Sequence, residues 1–251
     1  TAVAVSRLGA QVVFCSRVGD DAYGERLKKI YAENGIDLRF VRTDKVGQTG
    51  LAVILVENDG SNRIIVYPGA NMRISEGDVE SAFTCCPDAV MAQLESGEDV
   101  AVYASQLAAD EAIPFILDGG GARSDFRLNK LAKVDIFSPN EIETALITGI
   151  RPDTLDDCLR ASMAICSQTD VRYVVLKLGA RGCYVYDGKY CDLIAPFVVQ
   201  AVDTTAAGDA FTAALATEFL RTGDITASAR YANAVGALTV TTAGAIHSLP
   251  T

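Results

Sequence analysis

The stretch of the chain best suited to chemistry is Asp203-Thr204-Thr205-Ala206-Ala207-Gly208-Asp209-Ala210-Phe211. It joins a run that reads as a strand, Phe197 to Val202, to one that reads as a helix, Ala210 to Leu220. Phe211, Ala214, Leu215 and Phe219 fall at helical spacing, so an apolar face begins just after Asp209. Ala206, Ala207 and Gly208 are too small to block a ligand, and Gly208 tolerates backbone angles closed to other residues. The open N–H groups of a first helical turn, with the positive end of the helix dipole behind them, make an anion site. Phosphate is its common occupant. Asp209 is out of place there, because a carboxylate repels phosphate. It either complements the dipole, as any first-turn Asp does, or acts as a base facing a hydroxyl that attacks the phosphate.

Other chemistry-bearing residues also stand at element boundaries. Glu95, in Gln93-Leu94-Glu95, closes a strand and is either a solvated carboxylate or an acceptor for ligand hydroxyls. Asp118-Gly119-Gly120-Gly121 follows a strand with no clear helix in register after it. That excludes a dinucleotide fingerprint and suggests a tight loop near a ligand. Ser138-Pro139-Asn140-Glu141-Ile142-Glu143 has the form of a helix start, with Asn140 as N-cap and Glu143 as its capping-box partner. Lys177-Leu178-Gly179-Ala180-Arg181-Gly182 joins two strands as a Gly-containing turn, and Lys177 could serve phosphates as a point charge.

The elements that must position these residues alternate. Helical patterns cover Val79 to Phe83, Glu98 to Asp110, Glu141 to Thr148, Leu155 to Gln168 and Thr226 to Val235. Strand patterns cover Gln11 to Cys15, Ala89 to Leu94, Pro114 to Leu117, Val134 to Phe137, Val174 to Leu178 and Cys183 to Tyr186. Thr1 to Leu8 reads as the later part of a helix, and Glu25 to Asn34 as another, closed by Gly35. Such alternation implies a parallel sheet with helices on both faces, where ligands bind outside the carboxyl ends of the strands. The candidate residues fall at those ends. Residues 37–70 differ in character: Gly50 to Glu57 and Asn62 to Tyr67 bracket Asn58-Asp59-Gly60-Ser61 and read as a β-hairpin. Leu51 to Val56 is apolar without alternation, so both faces need cover.

A length of 251 residues and 49% hydrophobic content suit one large α/β domain with a small appendage. No apolar run approaches the ~18 residues that span a bilayer. The net charge of −10 and the lack of a basic run argue against a nucleic-acid partner. The seven cysteines are an odd number with no C-x-x-C pair, and most of them read as small core residues of a reducing, cytoplasmic compartment. One histidine and unsuitable spacings argue against zinc.

The Asp203–Phe211 stretch, together with Asn140-x-x-Glu143 and Gly179–Gly182, resembles the ribokinase family, the phosphofructokinase-B type of sugar and nucleoside kinases. The resemblance implies a ribokinase-like three-layer α/β/α sandwich with a mostly parallel sheet. Residues 1–36 and 71–251 would form the nucleotide- and substrate-binding core, and 37–70 a small β-sheet lid that also carries a homodimer contact. It implies Asp209 as base, with Ala206, Ala207 and Gly208 stabilising the transferred group. It implies Glu95 and Ala52, with Asp209, on the sugar. Asn140, Lys177, Gly179, Gly182, Gly208 and Asn233 would line the ATP. Glu143 would organise Mg²⁺ through water, and Asp203, Thr205, Thr239, Thr242, Gly244 and Ser248 would surround K⁺. The chain departs from the family pattern twice: Asp118 heads a glycine cluster where Asn-Pro-Ala-type residues are usual, and Lys177 stands where Thr is frequent.

The expected activity is an ATP-dependent kinase acting on a primary hydroxyl of a small sugar, ribokinase activity first. Fructokinase, 2-keto-3-deoxygluconate kinase and nucleoside kinase activities are the alternatives. A non-catalytic ligand-binding protein on the same fold is the rival class, and Asp209 argues against it, since a binder gains nothing from a carboxylate beside phosphate. Family members carry a first strand with a sugar-binding Asp before the helix in which this chain begins. The resemblance therefore implies about 40–50 residues ahead of Thr1, the length of a strand–lid–loop unit, and an open sheet edge beside Gln11 to Cys15.

Overall fold

The computed structural model describes residues 1–56 and 62–250. Its centre is a six-stranded sheet in the order β10-β9-β8-β7-β6-β5. The strands are β5 (Val90–Ala92), β6 (Phe115–Asp118), β7 (Val134–Ser138), β8 (Val171–Lys177), β9 (Cys183–Tyr186) and β10 (Cys191–Ile194). β5 to β8 run parallel, and β9 and β10 are added antiparallel. Successive residues of a strand point to opposite faces, and both faces here are apolar. Ile116, Ile136 and Val175 pack toward α1 (Ala2–Arg7), α7 (Ala207–Thr222) and α8 (Ile225–Thr239). Phe115, Leu117, Phe137, Val174 and Leu176 pack the other way, onto α3 (Glu76–Phe83), α4 (Glu98–Asp110) and α6 (Leu155–Cys166). The result is the three-layer sandwich expected from the alternation of elements. α5 (Glu141–Thr148) leaves the carboxyl end of β7.

Two smaller sheets stand apart from the central one. β1 (Ser16–Gly19) and β2 (Val41–Asp44) pair in parallel on either side of α2 (Ala22–Glu33). β3 (Leu51–Val56) and β4 (Asn62–Tyr67) form an antiparallel ribbon with Leu51 opposite Tyr67 and Val53 opposite Ile65. The turn expected at Asn58–Ser61 lies outside the described residues. Leu51, Val53, Leu55, Ile65, Val66 and Tyr67 are all exposed. The ribbon's root is pinned by ion pairs. Asp44, at the end of β2, accepts from Arg73 at 2.6 Å and from the Val46 and Gly47 N–H groups, and Arg17 on β1 reaches both Asp44 and Asp78. These donors hold the Asp44 carboxyl well below its ordinary range, the Gly47 N–H and Arg73 first among them.

Two expected strands are corrected. Gln11 to Cys15 contributes one isolated bridge, Val13 to Asp37, and the ladder begins only at Ser16. Phe197 to Val202 forms no strand: Val198 is 96% exposed, and the segment's last N–H, on Val202, donates to Val240 O at 2.7 Å. β-branched residues there satisfy a propensity but find no neighbouring strand to pair with.

Candidate active site

α7 starts three residues earlier than its apolar face, and its N-cap is Ala206 at φ 63° and ψ 6°. This left-handed conformation is uncommon for a residue with a Cβ. Ala206 offers no side-chain cap, whereas α2, α5, α6 and α8 are capped by Asp21, Asn140, Thr154 and Asp224. The Ala207 N–H donates to Thr204 O at 3.3 Å, and the Gly208 and Asp209 N–H groups of this first turn are left for another acceptor.

Asp209 stands half-buried in that turn. Its Oδ1 accepts from the Thr1 hydroxyl. Burial pushes the Asp209 carboxyl up, while the Thr1 hydroxyl and the charge of Lys177 pull it down.

The carboxyl ends of β5, β6, β7 and β8 bring further residues to the same region. Glu95 lies on a 3-10 turn, Leu94–Ser96, just past β5, rather than closing the strand itself. Partial desolvation raises its carboxyl, with the charges of Asp209 and Asp118 adding to the effect. Gly121, at φ +84°, packs so closely on Glu95 that a Cβ would lie 2.5 Å from the Glu95 N. A Cβ on Gly119 would lie 2.5 Å from Glu143 Oε2 and 2.9 Å from Pro139 Cα. The glycine cluster therefore lets the loop after β6 lie between Glu95 and Glu143.

Asn140 and Glu143 form a closed capping box. Asn140 Oδ1 accepts from the N–H groups of Ile142 and Glu143, both at 2.9 Å, and Glu143 Oε2 accepts from the Asn140 N–H at 2.7 Å. Burial raises the Glu143 carboxyl against the opposing pull of Lys177 and the Asn140 N–H. Lys177 ends β8 with its ammonium turned inward, 2.6 Å from Asp118 Oδ2. The Gly179–Gly182 turn between β8 and β9 is tied to the α5–α6 connection by Arg181, which donates to Glu141, Pro152 O and Asp153 O. Asn233 on α8 is buried and donates to Ile194 O and Ala195 O, joining α8 to the end of β10.

Asp203 links the two segments singled out for a cation. Its Oδ1 accepts from the Thr205 N–H at 2.9 Å and its Oδ2 from the Gly244 N–H at 2.8 Å. The Thr205 hydroxyl, then these two amides, keep its carboxyl low. Thr239 and Ser248 are buried, with hydroxyls donating to Val235 O and Ala245 O, while Thr242 is exposed. Ala52 is exposed on β3, opposite Val66.

Reading the sequence alone missed Asp118 as an ion-pair partner, and it missed Thr212. The signal was present in Asp118 heading the glycine cluster and in Thr212, three residues past Asp209 and so one turn along the same helix face. An uncapped helix N-terminus around a carboxylate that accepts from a hydroxyl suits phosphoryl transfer to an alcohol.

Comparison with known proteins agrees with that geometry. The pfkB family carbohydrate kinase pattern matches residues 1–251. The chain is 34% identical over 254 residues to a ribokinase of Haemophilus influenzae, covering 100% of this chain and 82% of the relative. It is 28% identical over 251 residues to a deoxyribokinase of Salmonella typhi, covering 99% of this chain and 82% of the relative. The structure of Arabidopsis thaliana ribokinase complexed with ribose and ATP superposes with a TM-score of 0.90 at 30% identity, covering 99% of this chain and 82% of that one. The chain belongs to the pfkB family of carbohydrate kinases, phosphotransferases that act on an alcohol group.

Proposed function

We propose that this sugar kinase transfers the γ-phosphoryl group of ATP to a primary hydroxyl of ribose. The observation that carries the reading is the uncapped first turn of α7 with Asp209 inside it. The carboxylate orients the hydroxyl and takes its proton. With a reference pKa near ~4, Asp is a weak base toward an alcohol, so proton transfer is late and positioning carries more of the rate than basicity. N–H groups of Ala206 to Asp209 receive the charge that builds on the transferred group.

Glu95 and Ala52 belong to the sugar side. Asn140, Gly179, Gly182, Gly208 and Asn233 belong to the nucleotide side. Mg²⁺, when bound, neutralises phosphate charge, and Glu143 suits it as an outer ligand acting through water. The amide-bridged Asp203, with Thr205, Thr239, Thr242, Gly244 and Ser248, suits K⁺, which would offset the carboxylate and steady the loop leading to α7. The exposed apolar ribbon β3–β4 suits a contact with a second copy of the chain. The seven free cysteines suit a reducing compartment such as the cytoplasm.

The choice of ribose is supported by the ribokinase of Haemophilus influenzae and by the Arabidopsis complex with ribose and ATP. A coupled ADP-release assay over ribose, 2-deoxyribose, fructose, 2-keto-3-deoxygluconate and nucleosides tests it, with ribose expected fastest. Faster turnover of another acceptor would move the assignment to that sugar. ATP binding without ADP release on any acceptor would favour a ligand-binding protein.

A further inference from the structure

The two departures from the family pattern, Asp118 and Lys177, are bonded to each other. Strand alternation explains how. Ile116, Ile136 and Val175 face α7, and Asp118, Ser138 and Lys177 follow them by two residues on the same strands. All three therefore lie on the α7 side of the sheet. Thr212 meets them from α7: its hydroxyl donates to Asp118 Oδ2, and the Lys177 ammonium donates to Asp118 Oδ2 at 2.6 Å and to Thr212 Oγ1 at 3.3 Å. Asp118 is 5% exposed, Lys177 9%, and Thr212 and Ser138 0%.

Stability does not account for this cluster. A buried ion pair is often no more stable than apolar residues of the same volume. A cation beside a helix N-terminus also stands at the unfavourable end of the dipole. Ser138 Oγ, on the same face, is buried and makes no hydrogen bond among the described residues, so the cluster is not closed for packing. What the cluster achieves is placement. A Cβ on Gly208 would lie 3.6 Å from Lys177 Nζ, so the ammonium sits against the underside of the anion-binding turn. Its charge pulls the Asp209 carboxyl down against the effect of burial.

We propose that Lys177 is a positioning residue of the kinase reaction: aimed by Asp118 and Thr212, its ammonium fixes a positive charge beneath the first turn of α7 and keeps Asp209 as the carboxylate that receives the attacking hydroxyl. This rests on the reading of Asp209 as the base. The charged groups facing Asp209 are Lys177 at the end of β8 and Glu95 on the turn after β5. Asp118, on β6, neutralises Lys177 from behind, so that the helix end is not overloaded with positive charge.

The test replaces both residues at once, Asp118→Asn with Lys177→Thr, so that no buried charge is left unpaired. The paired variant is expected to keep its melting temperature and ATP affinity but to lose about tenfold or more in kcat. The acid limb of its kcat profile is expected to move to higher pH. The sign follows from the active form being the carboxylate: Lys177 is the member of the pair that lies against the first turn of α7, so its loss outweighs that of Asp118, burial raises the Asp209 carboxyl, and activity fails earlier as pH falls. Thr212→Val, nearly isosteric, serves if the paired variant folds poorly, with a smaller shift of the limb in the same direction. An unchanged kcat and acid limb would overturn the proposal. So would a large loss of ATP affinity with an unmoved limb, which would make Lys177 a direct nucleotide ligand. Asp209→Asn is the control: if it is inactive while the paired variant behaves as wild type, only this proposal fails. If Asp209→Asn turns over normally, the base assignment itself fails.

Discussion

At α5 the chain finishes its own helix: Asn140 accepts from two first-turn amides, and Glu143 reaches back to the Asn140 N–H. At α7 the cap is an alanine in the left-handed region with nothing to offer. Both helix starts carry an acidic residue in the first turn. The first arrangement uses its hydrogen-bonding groups within the helix, and the second leaves its first turn without a side-chain cap. Damage at α5 should therefore appear first in melting temperature, and damage at α7 first in turnover.

Asp209→Asn tests the α7 half with the largest expected effect. It removes the carboxylate from the open turn, and kcat should fall by about 10²–10⁴-fold. The melting temperature should barely move, because the half-exposed contact with Thr1 is worth little. A large loss of stability with retained turnover would reverse the contrast between the two helix starts.

The loop that leads into α7 supplies the next effect. Asp203 bridges the Thr205 and Gly244 amides, a junction whose excess negative charge a monovalent cation would relieve. Exchanging K⁺ for tetramethylammonium at constant ionic strength should lower kcat severalfold without unfolding the protein. Equal rates in the two salts would mean that the loop is rigid enough on hydrogen bonds alone.

The contrast was half legible before any fold was known. Asp203–Phe211 and Asn140–Glu143 are contiguous, and small residues or a capping pair announce a helix start within a few positions. The alternation of elements around Glu98–Asp110, Glu141–Thr148 and Cys183–Tyr186 gave bounds that the structure repeats. The Asp118–Lys177–Thr212 cluster was not legible, because its partners lie 59 and 94 residues from Asp118 and meet only through strand register. The strand expected at Phe197 to Val202 failed for a related reason, since a strand is defined by a neighbour and local composition does not name one. The shift from Gln11–Cys15 to Ser16–Gly19 reflects the same gap: β2 chose the register, and β2 was not foreseen.

Asn140→Ala tests the α5 half. Losing an N-cap of this kind costs about 1 kcal/mol, or roughly 2–4 °C for a chain of this size. The drop in melting temperature should exceed any change in kcat. A rise in KM for ATP beside that drop would fit the place of Asn140 on the nucleotide side, whereas an unchanged melting temperature would show that its capping bonds add little, and the two helix starts would then differ less than their geometry suggests.

Ala206→Gly should have the smallest effect, and its size measures how much strain the open cap carries. Ala206 holds φ 63° with its Cβ in place, a conformation that costs a non-glycine residue about 1–2 kcal/mol. Glycine removes that cost but loses more backbone freedom on folding, roughly 0.5–1 kcal/mol. The two terms oppose each other, so the melting temperature should stay within a few degrees of wild type. The N–H groups of the first turn would keep their direction, and kcat should be nearly unchanged. A clear gain in stability with a fall in kcat would show that the Ala206 Cβ stiffens the anion-binding turn, so that this cap trades stability for the placement of its amides.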